Sequence, residues 1–296
     1  MTDRIIDISE QPARLSVRYD NLVIESDGQE TQSLPLAELG VLVVSNPQVS
    51  FTHAVLSGLA AAGGAFIACD ERHMPVGMLL PIAGHYVQAE RFARQTEAAL
   101  PTKKRLWQQI VQAKLKAQAR LLQELRGDDG GLLALAERVR SGDPDNMEAR
   151  ASRLYWTALF EDPAFRRNRE GEDQNRLLNY GYAVLRAIVA RAVCAAGLHP
   201  SIGVHHHNRY DAFCLADDLM EPFRPLVDRA VVQYVGLYGA DAPLDKGAKA
   251  ALLESLTGRF TLDGEERALF DVAARCASSL AAVFEGKAKG LLLPEM

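Results

Sequence analysis

The sequence predicts an α+β protein, with a small β-rich N-terminal domain over residues 1–84 and a larger all-α C-terminal domain over residues 85–296. Two observations support this class. Before Pro81, short β-prone runs are separated by turn signals such as Asp27-Gly28. From Tyr86 onward, apolar residues recur at three- and four-residue steps over long segments, which is the period of a helix.

The elements follow in order along the chain. One short helix within residues 52–64 is expected to end at the pair Gly63-Gly64. The segment 173–197 is apolar on nearly all sides, which predicts the central buried helix of the C-terminal domain. Five runs predict strands: RLSVRY (14–19), NLVIES (21–26), GVLVVS (40–45), AFIACD (65–70) and VGMLL (76–80).

The composition, with 48% hydrophobic and 24% charged residues, is that of an ordinary folded protein. The N-terminus lacks the order of a secretory signal, and the chain has no run of uncharged apolar residues long enough to be an evident membrane span. We therefore expect a cytoplasmic protein with no membrane contact. The four cysteines have no CxxC spacing, which argues against a disulfide framework and against a thiolate zinc site.

The formal net charge of -5 disfavours a nucleic-acid partner, but the charge is uneven along the chain. Residues 85–126 hold nine Lys or Arg against three Asp or Glu. A second basic cluster, Arg166, Arg167 and Arg169, falls in a predicted loop. Such clusters can follow a phosphate backbone, although a solvated helix face is the more common explanation for a single one. The first segment includes Lys103, Lys104, Arg105, Lys114 and Lys116.

Three histidines, His205–His207, precede a group of acids. Asp218 and Glu221 are three residues apart in a predicted helix, so both carboxylates share one face. Neighbouring carboxylates repel each other unless a cation compensates them. A divalent metal with an imidazole ligand and ion pairs with Arg224 or Arg209 explain these acids equally well.

A further acid, Glu148, lies in the segment SGDPDNMEARASRLYW. The pair Asp143-Pro144 is typical of a helix start, and Asp145 three residues before Glu148 fits a capping box. Glu148 also shares a helical face with Tyr155, which favours an acid directed towards protein or substrate. Both roles are consistent with the pattern.

Four motifs occur in the order of a known family: NMEARASRLYW, NRLLNYGYAVLRAIVARAV, GLHPSIGVHH and LADDLMEPFRPLVD. In these motifs the chain resembles the CRISPR-associated integrase and endonuclease family Cas1. The motifs span roughly residues 145–228, and HHHNRYDAFCLADDLMEPFRPLVD is most similar to the branch found with type II, Cas9-containing systems.

The resemblance implies a catalytic metal site with Mg²⁺ or Mn²⁺. Matched motif by motif, the three ligands and catalytic residues are Glu148, His206 and Glu221, and Asp218 has a supporting role. His205 and His207 are the alternatives for the imidazole ligand.

The resemblance also implies the reaction and the partners. Members insert new spacers into the CRISPR array by attack of a 3′ hydroxyl on a phosphodiester, together with the small protein Cas2, and they form homodimers through the β-rich domain. DNA contact is then expected at Lys103, Lys104, Arg105, Arg166 and Arg167. Two alternatives remain open: a metal-dependent repair nuclease with the same ligands, and a DNA-binding assembly subunit whose acids are ion-paired and inactive. The apolar tail Leu291–Leu293 is either a partner contact or a frayed terminus.

Overall fold

The structure, a computed structural model, describes residues 4–81 and 84–295. Strands dominate the N-terminal part and helices most of the rest, so the fold is mixed α+β. Each of the five predicted runs forms a strand, and the predicted short helix is present. Residues 4–81 contain β1 (Arg4–Ile8), β2 (Arg14–Arg18), β3 (Asn21–Glu25), β4 (Gln32–Pro35), β5 (Leu39–Val44), β6 (Ser50–Phe51), α1 (His53–Ala61), β7 (Ala65–Cys69) and β8 (Pro75–Leu79).

These strands form two four-stranded sheets. In the first, the order is β1-β5-β7-β8, and β8 alone runs antiparallel to its neighbour. In the second, the order is β4-β3-β2-β6. Strand β5 is buried on both faces, as the continuous apolar run LGVLVV requires. Val41 and Val43 pack into the helical core, whereas Leu39 and Leu42 pack into a second core with α1 and the second sheet.

The remaining chain is largely helical. A single 3₁₀ turn, Glu221–Phe223, separates two of its helices. The helices are α2 (Gln88–Thr96), α3 (Leu100–Arg126), α4 (Leu132–Glu137), α5 (Met147–Phe160), α6 (Asn175–Ala195), α7 (Cys214–Met220), α8 (Arg224–Tyr238), α9 (Lys246–Ser255) and α10 (Leu269–Phe284).

Helix α6 is the central helix, as the sequence predicts. By length and composition it could cross a bilayer, but 78% of its apolar window is buried inside the protein, which is typical of a core helix. It also joins the two parts of the chain: the Tyr180 hydroxyl donates a hydrogen bond to Asp7 of β1, and Arg191 donates to the Gly63 carbonyl. Burial and the nearby Asp7 carboxylate raise the pKa of Tyr180, which keeps this hydroxyl a donor.

The prediction of an all-α C-terminal part is wrong in one element. Strands β9 (Arg259–Leu262) and β10 (Glu265–Ala268) form an antiparallel hairpin. Its turn, Asp263-Gly264, has positive φ at both residues, 52° and 75°, which is the geometry that favours Asp-Gly in a two-residue hairpin. The dipeptide in the sequence is a recognised hairpin signal.

The C-terminal tail packs on its own chain. The Leu291 amide donates to Gln109 of α3 at 2.8 Å, and the Leu292 amide donates to Ser279 of α10 at 2.9 Å. Glu295 forms a β-bridge with Thr261. The expectation of a frayed terminus is therefore wrong, because backbone groups of the tail are hydrogen-bonded to the helical core.

Candidate functional site

A cleft of about 770 Å³ opens in the helical part of the protein. Side chains from α3, α5, the 163–169 loop and the segment 206–224 line it. Glu148, His206 and Glu221, far apart in sequence, all face this cleft. The three predicted ligands thus line the same cleft.

Glu148 does not cap helix α5, which was one of the two roles that the sequence allowed. The carboxylate of Asp143 accepts the amides of Met147 at 2.9 Å and Glu148 at 3.0 Å, so Asp143 caps α5. Asp145 instead pairs with Arg140 at 2.7 Å. The Glu148 carboxylate therefore projects from the first turn of α5 into the cleft, where Lys114 lies 2.5 Å away.

Glu221 begins the 3₁₀ turn after α7, and its side chain is only 6% exposed. Arg224 lies 3.2 Å from one carboxylate oxygen and Lys114 Nζ lies 2.7 Å from the other. Burial by itself would raise the pKa of Glu221, but these two cations more than offset it and the pKa is lowered. Both oxygens of the Glu221 carboxylate therefore face a cation.

Lys114 is a cleft residue whose position between the two glutamates the sequence did not predict. Its basic segment suggested DNA contact, but its side chain is 6% exposed and lies between Glu148 and Glu221. Burial works to lower its pKa, and the two carboxylates outweigh burial so that the pKa is raised. A signal was available: Lys114 follows Trp107, Ile110 and Val111 at helical spacing on the buried face of α3.

His206 is held by Asp218. Nδ1 of His206 lies 2.6 Å from Oδ1 of Asp218, and the fully buried Asp218 carboxylate also accepts the backbone amides of Val204, His205 and His206 at 2.7, 2.8 and 3.2 Å. The hydrogen bond to Asp218 is the main reason that the pKa of His206 is raised. Asp218 consequently positions the loop and the imidazole, which agrees with a supporting role.

Glycine is required at the start of this loop. A Cβ added to Gly203 would lie 2.1 Å from the carbonyl oxygen of His206 and 3.0 Å from Asp218 Oδ2. The first distance is far shorter than any van der Waals contact, and the obstacle is backbone. The loop closes over Asp218 only because residue 203 has no side chain.

The neighbouring histidines have other surroundings. The His205 ring stacks on Trp107, with centroids 4.1 Å apart and planes 4° apart, and burial lowers its pKa. His207 is exposed, and its Nδ1 lies 2.7 Å from the His205 carbonyl oxygen. Of the three, His206 lines the cleft and has a carboxylate partner.

A buried acid, Asp228, links the helix that carries Glu148 to the helix that follows Glu221. Asp228 of α8 accepts hydrogen bonds from Tyr155 of α5, at 2.6 Å, and from Tyr182 of α6. Burial raises the pKa of Asp228 to about 6, although both tyrosines oppose the rise. This cluster fixes α5 against α8, the two helices next to Glu148 and Glu221.

The two predicted DNA-contact clusters lie in different places. Arg166 and Arg167 line the cleft together with Arg153 and Arg169. Arg167 is half-buried and its guanidinium donates to Asn175 and Asn179 at 2.9 and 2.5 Å. The segment 103–105, by contrast, is at the N-terminal end of α3 and does not line the cleft.

The side chains are not arranged around a vacant metal position. Within residues 4–81 and 84–295, no three His, Cys, Asp or Glu side chains converge closely enough to hold an ion. The ammonium group of Lys114 lies between the two glutamates, and His206 is engaged by Asp218. The acids are therefore ion-paired in this structure, which is one of the two alternatives that the sequence left open.

Comparison with known proteins identifies the fold and then the family. Among solved structures, a casposase bound to its integration product matches with a TM-score of 0.77 at 19% identity, over 97% of this chain and 92% of that one. A chain of a Cas6-RT-Cas1–Cas2 complex matches with a TM-score of 0.76 at 17% identity, over 100% of this chain and 36% of that one. At such identities the likeness shows the fold.

Sequence comparison gives the family. The family model described as CRISPR associated protein Cas1 matches residues 6–238. A CRISPR-associated endonuclease Cas1 from Neisseria meningitidis serogroup C (strain 8013) is 36% identical over 286 residues, covering 96% of this chain and 93% of the relative. The chain belongs to the Cas1 family of CRISPR-associated proteins.

Proposed function

We propose that the chain is a metal-dependent DNA integrase and endonuclease of CRISPR adaptation, which joins new spacers to the CRISPR array. The observation that carries the proposal is that Glu148, Glu221 and His206 all line one cleft, together with several arginines. Family membership and the name of the Neisseria relative support phosphodiester chemistry.

The donor set suits Mg²⁺ or Mn²⁺. Two carboxylates are hard oxygen ligands, and an imidazole adds some preference for Mn²⁺. The structure supplies one supporting observation: a cationic group, the Lys114 ammonium, already lies between the carboxylates. Glu148, Glu221 and His206 would hold the ion.

In strand transfer, a 3′ hydroxyl attacks a phosphodiester and another 3′ hydroxyl leaves, so catalysis needs alignment and neutralisation of charge on the phosphate. A bound divalent cation supplies that neutralisation. Asp218 engages Nδ1 of His206, which leaves Nε2 as the nitrogen for the ion. Arg153, Arg166 and Arg169 provide the positive charge that holds DNA phosphates at the cleft. With water in place of the attacking hydroxyl, the same site cuts DNA.

Partners and organisation belong to the same proposal. We infer a cytoplasmic protein of two domains, residues 1–84 and 85–296, that forms homodimers through the β-rich domain and acts with Cas2. The Cas6-RT-Cas1–Cas2 match supports the partner at the level of the fold.

The second candidate is a DNA-binding assembly subunit without catalysis. The ion pairs of Lys114 and Arg224 with the glutamates favour it, because a site permanently neutralised by protein cations has no need of a metal.

A strand-transfer assay tests the proposal: the protein, Cas2, a short duplex with free 3′ ends, and a plasmid carrying a CRISPR repeat array, with Mg²⁺ or Mn²⁺. We expect joined product from the wild type and a loss of about 100-fold or more in His206→Ala, since the imidazole is a ligand. His207→Ala is the matched control, because His207 is exposed and should retain activity. Cutting without joining would favour a repair nuclease, and DNA binding without either reaction would favour the assembly subunit.

A further inference from the structure

The unusual feature of the cleft is the cation at its centre. Lys114 comes from α3, Glu148 from α5 and Glu221 from the turn after α7, so three separate elements converge on one ammonium group. Its distances to the two carboxylates, 2.5 and 2.7 Å, are those of direct ion pairs. The surroundings are nearly closed to water on the Lys114 and Glu221 side, where each side chain is 6% exposed.

Charge balance explains why a cation is needed there. Two carboxylates that reach the same ammonium lie close to each other, and without a positive charge between them they repel strongly in a buried setting. Arg224 contacts Glu221 at 3.2 Å, but no contact between Arg224 and Glu148 occurs among the described residues, so Arg224 does not bridge the pair. Lys114 alone joins both acids within the part of the chain that the structure describes.

We propose that Lys114 is an exchangeable counter-cation: it neutralises Glu148 and Glu221 when no divalent ion is bound, and it yields this place to the ion and then contacts a DNA phosphate. The inference rests on the proposed function. An ammonium is a single charge on a flexible four-carbon stem, which allows it to move away while the stem stays packed. Lys114 lines the cleft, so the released group stays within the cleft that is proposed to bind DNA.

The alternative is a fixed structural ion pair, and the two differ in their effect on metal affinity. An exchangeable cation competes with the metal, so its removal should tighten metal binding. A fixed partner organises the carboxylates, so its removal should weaken binding or leave it unchanged. Affinity therefore separates the two roles without any reliance on turnover.

The test is a calorimetric Mn²⁺ titration of the full-length protein, with Lys114→Met beside the wild type. We expect Mn²⁺ to bind Lys114→Met about tenfold tighter or more, because the competing charge is gone. In EDTA, the Tm of Lys114→Met should fall by roughly 5–10 °C through repulsion of the unpaired acids, and Mn²⁺ should restore it. Strand transfer at saturating Mn²⁺ should nevertheless fall by about 100-fold, since the phosphate loses its contact.

Two further variants keep the test decisive. Lys116→Met, at an exposed position of the same helix, should match the wild type in Mn²⁺ affinity and in Tm. Lys114→Met combined with Glu148→Gln removes one of the repelling charges, so it should regain Tm in EDTA yet bind Mn²⁺ weakly. If Lys114→Met alone does not fold, the double variant is compared with Glu148→Gln, and an exchangeable Lys114 predicts tighter Mn²⁺ binding by the double variant.

The outcomes are distinguishable. Unchanged or weaker Mn²⁺ binding in Lys114→Met, with strand transfer in the wild type, would overturn the exchange and leave the integrase in place. No Mn²⁺ binding by the wild type or by either Lys114 variant would overturn the proposed metal site and the exchange together.

Discussion

The site has two halves, one held together by hydrogen bonds to a buried carboxylate and the other by ion pairs. The imidazole half comprises His206, Asp218 and the 203–207 loop, and the carboxylate half comprises Glu148, Glu221 and Lys114. In the imidazole half, one carboxylate accepts three backbone amides and an imidazole nitrogen. In the carboxylate half, two acids are brought together by one ammonium.

The difference concerns what each half needs in the absence of metal. Backbone amides are fixed dipoles, so the imidazole half keeps its geometry whichever ion is present. The carboxylate half needs a positive charge at its centre and accepts any cation of suitable size. Under the proposed function, the imidazole half is therefore preformed, while a metal would complete the carboxylate half.

Removing the Asp218 carboxylate should break the imidazole half. We expect Asp218→Ala to lose about 3–5 kcal/mol of unfolding free energy, because buried amides lose a charged acceptor. The pKa of His206 should also fall back towards its ordinary value, since Asp218 is the cause of its rise. Urea denaturation and NMR titration of the imidazole measure the two effects. His206→Ala, which leaves the amides bonded, should cost less than about 1 kcal/mol; equal losses in both variants would contradict the assignment.

The support beneath the carboxylate half should respond to pH. The pKa of Asp228 is raised from 3.8 to about 6 in the folded protein, so folding favours its protonated form. Its stabilising contribution is thus present below about pH 4 and is lost as pH rises through about 6, a change of about 3 kcal/mol at most. Urea denaturation between about pH 4 and pH 7 should show the stability of wild type relative to Asp228→Asn falling by up to this amount. A constant difference across that range would mean that Asp228 does not titrate there.

The sequence could predict the imidazole half better than the carboxylate half. Glu148, His206 and Glu221 are assigned only by their matches to the family motifs. His206 and Asp218, by contrast, are 12 residues apart in one continuous segment of the chain, so their contact depends on local structure. The Lys114 contact joins residues 34 and more than 100 positions apart, and only the packing of α3 against α5 and the 221–223 turn creates it.

The fold shows the same division. Strands with a strong apolar run, such as β5 and β7, are predicted because their pattern is local. Strands β4 and β6 are short edge segments, QSLP and SF, whose strand character comes from pairing with β3 and β2. The hairpin β9–β10 could have been predicted from the dipeptide Asp263-Gly264. It was missed because the neighbouring segments have a helical pattern.

Neutralising each of the two basic clusters in turn shows which half of the site lies closer to bound DNA. The segment 103–105 lies about one helical turn before Trp107, whose ring stacks on His205 of the imidazole half, whereas Arg166 and Arg169 line the same cleft as Glu148. We expect Arg166→Gln with Arg169→Gln to lower the slope of log affinity against log salt by roughly 2, because each charge releases about one counterion. Lys104→Gln with Arg105→Gln, at exposed positions, is the matched pair and should leave the slope unchanged.

Either result places the DNA, because both pairs remove the same charge from the same protein. Binding titrations with one duplex over a range of salt concentrations give the slope directly. If the 104–105 pair lowers the slope and the 166–169 pair does not, the duplex runs along the imidazole half. In that case Lys114 is the residue of the carboxylate half that is expected to contact a DNA phosphate. If the 166–169 pair lowers it, the phosphate enters over the half that the cation completes, and metal binding and DNA binding should each strengthen the other.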